Sequence, residues 1–333
     1  MKTDTDAAVV RLSSARDRRL IVARPLGRLC NQLFLFAHLI GFARESHTRI
    51  VNLAFARYAH YFVGTQGDPL VRYPRVRSRL ACGGTRRLAG WGGRHLYSLA
   101  KRLPGRFSLL RGSEQIVPLH GEAVAAALGE RKPVVLQGET FRYDERVQQH
   151  TAAIREHLQL VPRHRDRVKE TLERARRDCD VLIGAHIRQG DFRRWHGGRF
   201  HRSVAQFTAT MEHTVSQFPN SRVAFLICSD EAVDASPFGD LQVHRSTGQI
   251  VEDLYALAGC DYLLGTPMST YSMWASFYGN TPFFTVADDG RQPLLDDFHV
   301  TDLAHYASTH QPGEDDRELV EAESGEPVRR LAS

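Results

Sequence analysis

Between residues 20 and 290, short apolar runs alternate with stretches in which apolar residues recur every three or four positions. Residues 20–23 (LIVA) read as a buried strand, 25–30 as a glycine-containing turn, and 31–45 as a helix with Leu33, Phe34, Ala37, His38 and Gly41 on one side. Runs 50–53 and 134–137 read as further strands, with a helix over about 145–158. After residue 180 the pattern is cleaner, with strands at 181–187, 223–228, around Val243, at 262–264 and at 282–286. Helical periodicity over 204–218, 250–258 and 271–278 fills the gaps. Strands and helices that take turns in this way predict parallel sheets in an α/β fold. The polar, Arg-rich stretch 162–180 between the two series is the expected domain boundary.

Length agrees with two units, since 333 residues at roughly 150 per domain make about two. A hydrophobic content of 42% with 26 Gly and 14 Pro excludes a mini-protein, a collagen-like chain and a disordered chain. Neither end holds a periodic apolar pattern, so 1–18 and 311–333 are expected to be tails, the second acidic, without aromatics and disordered. The expected organisation is therefore a tail to residue 18, domains over 19–165 and 166–310, and a tail from 311. The N-terminus lacks the apolar region of a secretory signal, and the longest apolar run, 33–43, is about half a membrane span. A soluble or at most peripheral protein is expected. Cys30, Cys82, Cys179, Cys228 and Cys260 are scattered without a C-x-x-C pair, which reads as reduced thiols in a cytoplasmic protein rather than a disulfide framework or zinc site.

The charge is uneven. The net +6 comes from 44 cations and 38 carboxylates, yet the segment 69–113 holds eleven basic residues and no acid, leaving 33 cations against 38 carboxylates elsewhere. Of the 44 cations 40 are Arg, a coding bias that makes a lone Arg weak evidence for anion binding.

Four segments could carry chemistry. Gly27-Arg28-Leu29-Cys30-Asn31-Gln32 lies between a strand and a helix, where a glycine lets the backbone approach an anion and free helix N–H groups can hold a phosphate. A tight turn with Asn31 as helix cap is the plain alternative. His186-Ile187-Arg188-Gln189-Gly190-Asp191-Phe192 ends an apolar strand, where ligands of open α/β sheets gather and a phosphate-binding Arg belongs. Ser229-Asp230-Glu231 also follows a strand directly and could bind a metal, accept from a base or ribose, or cap a helix. No acid-x-acid triplet ends a strand here, so a metal site is not favoured. In the segment 265–275, Ser269 and Thr270 sit at a helix start and can cap it or hold a phosphate, whereas Met273, Trp274 and Phe277 read as core.

In this order the four segments resemble the α1,2-fucosyltransferase family and its relatives, the α1,6- and protein O-fucosyltransferases. The matches are Gly27 to Gln32, His186 to Phe192, Ser229 to Asp230 and Ser269 to Ala275, joined by Gln137-Gly138-Glu139 with Phe141. The resemblance implies a GT-B architecture: two facing Rossmann-like domains with parallel sheets, the N-terminal one for the acceptor and the C-terminal one for the nucleotide sugar. It implies inverting, metal-independent transfer of fucose from GDP-fucose to a saccharide hydroxyl, with no metal and no cofactor beyond the donor. Arg188, with Ser269, Thr270 and the Gly27 loop across the cleft, would stabilise the charge on the leaving diphosphate. Asn31 and Gln32 belong to the same donor-binding set, and His186 and Asp230 would contact guanine or ribose. The acceptor hydroxyl must lose its proton, and Asp191 and Glu139 are the candidate bases. One departure is Gln189, where the family pattern has a second Arg. The resemblance therefore carries the nucleotide-sugar class further than the fucosyl donor.

Two other classes stay open. A nucleic-acid-binding protein could use the basic segment, but no nucleic-acid motif is present and its aromatics are few (Tyr73, Trp91, Tyr97, Phe107). A non-catalytic relative would keep the fold alone. Within the basic segment, Leu96, Leu99, Ala100 and Leu103 fall at helical spacing beside His95, Lys101, Arg102 and Arg106. Such a basic amphipathic helix within 86–111 suits the inner face of an anionic membrane or a lipid-linked, phosphate-bearing acceptor. A solvated Arg-rich face is the plain alternative.

Overall fold

The computed structural model describes residues 18–24, 27–79, 82–112, 116–130, 132–138 and 140–304. The expected tails lie outside these residues apart from Arg18, as does the candidate base Glu139. The first half runs β1 (Arg19–Val22), α1 (Leu29–Ser46), β2 (Arg49–Asn52), a 3-10 turn (Leu53–Arg57), β3 (Arg72–Tyr73), α2 (Gly83–Arg102), β4 (Ser108–Arg111) and β5 (Val117–Pro118). It continues with α3 (Glu122–Gly129), β6 (Val134–Gln137), β7 (Phe141–Arg142), a 3-10 turn (Glu145–His150) and α4 (Thr151–His157). The second half runs α5 (Pro162–Ala175), β8 (Val181–Ile187), α6 (Val204–Ser216), β9 (Val223–Ser229), β10 (Val243–Arg245), α7 (Ile250–Leu257), β11 (Tyr262–Gly265), α8 (Thr270–Gly279) and β12 (Phe283–Thr285).

Two five-stranded sheets result, ordered β3-β2-β1-β6-β4 and β10-β9-β8-β11-β12. All pairings within them are parallel except β2 with β3. β8 and β9 are almost wholly buried, which fits their continuous apolar runs: strands covered on both faces have no polar side to show. Their register pairs His186 with Cys228 and Ile187 with Ser229, while Gly265 on β11 pairs with His186. The polar residues that follow these three strands therefore emerge at one edge.

The halves share a core. α1 buries most of its length, and its Phe34 meets Trp274 of α8 edge to face with ring centroids 5.2 Å apart. The chain returns to the first half at its described end, where Leu303 is buried in that core and Asp302 accepts a hydrogen bond from Gln148. The expected domain limit at 165/166 falls inside α5. That helix buries His164, Val168, Thr171 and Ala175 and is tied to α7 through His164 Nδ1 to Glu252 Oε1 at 2.6 Å.

α2 departs from its expected shape. It ends at Arg102, so Leu103 lies beyond it, and its buried face is Gly93, Tyr97 and Ala100, with Leu99 exposed. Gly93 allows the close approach, since a Cβ there would lie 2.3 Å from the Ala23 carbonyl oxygen. The large apolar side chains Leu88, Trp91 and Leu99 consequently turn to solvent. No helix among the described residues is long and apolar enough to cross a membrane, and all five cysteines are free thiols.

Candidate active site

The β8 end is built around Arg188. Its backbone N–H donates to Thr266 Oγ1 at 3.0 Å, and that hydroxyl donates to the His186 carbonyl at 3.2 Å, fixing the β11–α8 turn to β8. The Arg188 guanidinium contacts Asp191 Oδ1 at 2.7 Å and Asp230 Oδ2 at 3.3 Å, and lies over the Phe192 ring. Asp230 also accepts from the Gln189 N–H at 2.8 Å. Gly190 lets the loop pass over this carboxylate, because a Cβ there would come within 2.7 Å of Asp230 Oδ2. A guanidinium held on two sides by carboxylates and by a ring face has little freedom left, so its geometry is set before any ligand arrives.

The facing wall comes from the turn before α1. Gly27 adopts a positive φ of 68°, a region that costs a side chain but not a glycine, and its carbonyl accepts from Gln32 Nε2 at 3.0 Å. Gln32 is thus buried behind the turn rather than directed into the cleft. Asn31 is half-buried in the first turn of α1, and its side chain makes no hydrogen bond among the described residues. α1 starts without a side-chain cap or an acid in its first turn, so its N–H groups and dipole are open to an anion. Arg28 Nη2 reaches across to Asp191 Oδ2 at 3.3 Å. Asp191 therefore sits between a cation from each half of the molecule.

Below this layer lies His186, 4% exposed, its Nδ1 at 2.8 Å from Ser272 Oγ and 3.3 Å from Ser269 Oγ, with the Tyr271 ring tilted against it. Burial pushes its pKa down to about 4, against the opposing pull of Asp230, so the ring is neutral near pH 7. In this arrangement His186 pins the start of α8 to β8. Thr270 opens α8 half-buried, after a turn in which Met268 takes a positive φ of 57°, a backbone state held by its surroundings. The Gln189 side chain is spent on the following loop: its Nε2 donates to the Arg202 carbonyl at 2.7 Å and its Oε1 lies 3.0 Å from His201 Nε2. Beside β9 and β10 a cavity of about 150 Å3 is walled by Val233, Phe238 and Val243 and rimmed by Ser229, Glu231 and Arg245. Its apolar walls and polar rim suit a flat heterocycle.

The structure thus gathers Arg188, Asp191 and Asp230 with the Gly27 turn, and sets His186 and Ser269 beneath them. It adds Arg28, Thr266 and Ser272, which lie inside the segments noted in the sequence but carry no signal of their own there. In an Arg-rich chain Arg28 looks like any other cation. Among the described residues no group of three His, Cys, Asp or Glu side chains is gathered as a metal would need.

No family profile matches the chain, and no curated protein matches it in sequence. Solved structures do resemble it. One is a mutant of Arabidopsis thaliana FUT1 in complex with GDP, at TM-score 0.51 and 11% identity over 85% of this chain and 73% of that one. POFUT1 in complex with GDP gives TM-score 0.50 and 11% identity over 83% and 100%. NodZ alpha-1,6-fucosyltransferase soaked with GDP-fucose gives 0.50 and 15% over 82% and 96%. At such identities the likeness is one of fold, the GT-B arrangement of two facing Rossmann-like domains with parallel sheets.

Proposed function

We propose that this protein is a glycosyltransferase that takes fucose from GDP-fucose and joins it to a saccharide hydroxyl, with inversion and without a metal. The observation that carries the reading is Asp191, a carboxylate held between Arg188 of one half and Arg28 of the other. Its position marks a place where negative charge is stabilised from both sides of the cleft. A donor diphosphate entering there takes over both guanidinium groups, with the open N-terminus of α1 as a further source of donors. In this reading the guanine goes to the cavity beside β9 and β10, next to Asp230. The GDP and GDP-fucose in the solved structures of similar fold support this donor, and the ordered set of four segments, through its resemblance to the α1,2-fucosyltransferase family and its relatives, supports fucosyl transfer.

The chemistry follows from the charges. The acceptor oxygen bonds to the anomeric carbon from the face opposite the diphosphate, the bond from that carbon to the β-phosphate oxygen breaks, and GDP leaves with the electron pair. Arg188, already oriented, neutralises the charge that develops on the β-phosphate. Asp191, released by the incoming diphosphate from its two cations, becomes a free carboxylate at the cleft and accepts the acceptor proton.

A thermal-shift panel of GDP, UDP and CMP sugars, followed by transfer assays, tests this. GDP and GDP-fucose are expected to raise the melting temperature, Arg188→Ala to abolish the shift, and Asp191→Asn to keep the shift while losing transfer. Indifference to every nucleotide sugar would sink the reading, and full activity of Asp191→Asn would remove the assignment of the base.

A further inference from the structure

A second cationic feature lies outside this site, on the same edge of the first sheet. β1 and β2 run parallel, so the 3-10 turn Leu53–Arg57 that follows β2 emerges beside the turn that follows β1. Between this turn and α2 opens a cavity of about 600 Å3, lined by Arg57, His60, Arg86, Arg87, Trp91 and Arg94, with Gly83 and Gly90 leaving its wall bare of side chains.

We propose that this cavity is an anion site for a phosphate or diphosphate ester carried by the acceptor. The inference rests on the glycosyltransferase reading for the word acceptor, but not for the anion. Coding bias explains why the cations are arginines. It does not explain why four of them converge on one cavity whose lining holds no acid. Several surface arginines elsewhere hold a carboxylate, among them Arg72 with Asp68, Arg146 with Asp144, Arg176 with Asp261, Arg222 with Asp180 and Arg291 with Asp297. Around the cavity none of the four guanidinium groups meets a carboxylate among the described residues, and no acid lines the wall. Arg86 spends one nitrogen on the Gln66 carbonyl at 3.2 Å, and Arg57 lies over the Tyr58 ring. These contacts aim the two forks without neutralising them. Four like charges around one opening repel one another until an anion enters, and a guanidinium fork matches the paired oxygens of a phosphate. Trp91, 55% exposed and packed on His95 at 4.0 Å, continues the wall as a flat apolar plate, with Leu88 and Leu99 exposed on the same helix. A phosphate ester bearing a sugar or an apolar chain would meet both surfaces at once.

The test measures inorganic pyrophosphate binding by calorimetry to protein saturated with GDP, so that the donor site is already filled. Wild type is expected to bind, and the variant Arg87→Gln/Arg94→Gln to bind about tenfold or more weakly, the effect of losing charge-assisted hydrogen bonds. The GDP thermal shift should be the same in both proteins, which also shows that the variant is folded. Two further arms locate the group: a soluble sugar phosphate, and phosphatidylcholine vesicles with and without phosphatidate. Binding of either kind that the variant loses supports the site and tells whether the phosphate is soluble or carried on a lipid. Equal binding by wild type and variant, or no anion bound by GDP-saturated wild type, overturns it. Failure of the donor reading has a separate signature, the absence of any GDP shift, and in that case pyrophosphate is titrated into the protein alone.

Discussion

At the end of β8 the Arg188 guanidinium is flanked by Asp191 and Asp230, whereas the four guanidinium groups beside α2 meet no carboxylate among the described residues. A cation that already holds carboxylates has its geometry set and its field partly balanced. Binding a phosphate there exchanges one anion for another, so beyond holding the donor the gain lies in orientation at the reacting bond. An unpaired cluster has no such partner to give up, and an anion relieves its self-repulsion, so the gain appears as affinity that salt weakens. The two arrangements suit bond breaking and capture respectively.

That contrast can be broken in several ways. The largest effect is expected from Arg188→Ala, a fall of about 10²- to 10³-fold in transfer rate, the usual loss when one preorganised donor to a developing charge is removed. The two Arg-to-Gln changes beside α2 should instead raise KM for a phosphorylated acceptor, and steady-state kinetics with phosphorylated and neutral acceptors distinguish the cases.

Acid stability sharpens the comparison beneath the clusters, because both halves bury imidazoles held neutral: His186 in the second, His157 and His38 in the first. His186 and His157 are both pushed down by burial to about 4, the second with Arg75 adding to the effect. The unfolded chain takes up these protons at an ordinary histidine pKa near 6.5 while the native protein does not. Stability therefore falls as pH drops from about 6.5 toward 4, by at most roughly 3 kcal/mol for each ring. Urea denaturation as a function of pH should show this slope, and His186→Asn should make it shallower without removing it, because the buried His38 is lowered as well.

A smaller loss is expected from Gly190→Ala, whose methyl would press on Asp230 Oδ2. Crowding of this kind costs about 1–3 kcal/mol. Because the displaced carboxylate holds Arg188, the GDP-induced thermal shift should shrink along with the melting temperature. An unchanged shift would mean that Asp230 does not orient Arg188. The smallest effect concerns salt. Raising ionic strength should weaken pyrophosphate binding at the exposed cluster more than GDP binding at the half-buried Arg188, since solvent-exposed charges are screened more. Parallel titrations at low and high salt check it, and equal slopes would erase the distinction.

Much of the second half is legible in the sequence. β8, β9 and β11 announce themselves as apolar runs followed at once by polar residues, and parallel register then brings those residues to one edge. α2 is less legible because its buried positions are small, Gly93 and Ala100 beside Tyr97, while its large apolar side chains face out. Periodicity counts large apolar residues, so it does not find the face that packs. α5 escapes for a related reason: His164 and Thr171 on its buried face read as polar, although His164 is satisfied by the Glu252 carboxylate. Gln189 reads as a lost cation, yet its side chain is spent on the loop ending at Arg202.

The sequence by itself determined the α/β alternation, the order of the four segments and the placement of Arg188 at a strand end, because burial and strand period are local properties. Only the tertiary structure decided that Arg28 and Arg188 share Asp191, that His186 lies beneath the cleft as a neutral support, and that four arginines of the first half line one cavity with no carboxylate on them among the described residues. Those relations join residues far apart in the chain. Charge pairing depends on distance in space, which no local pattern records.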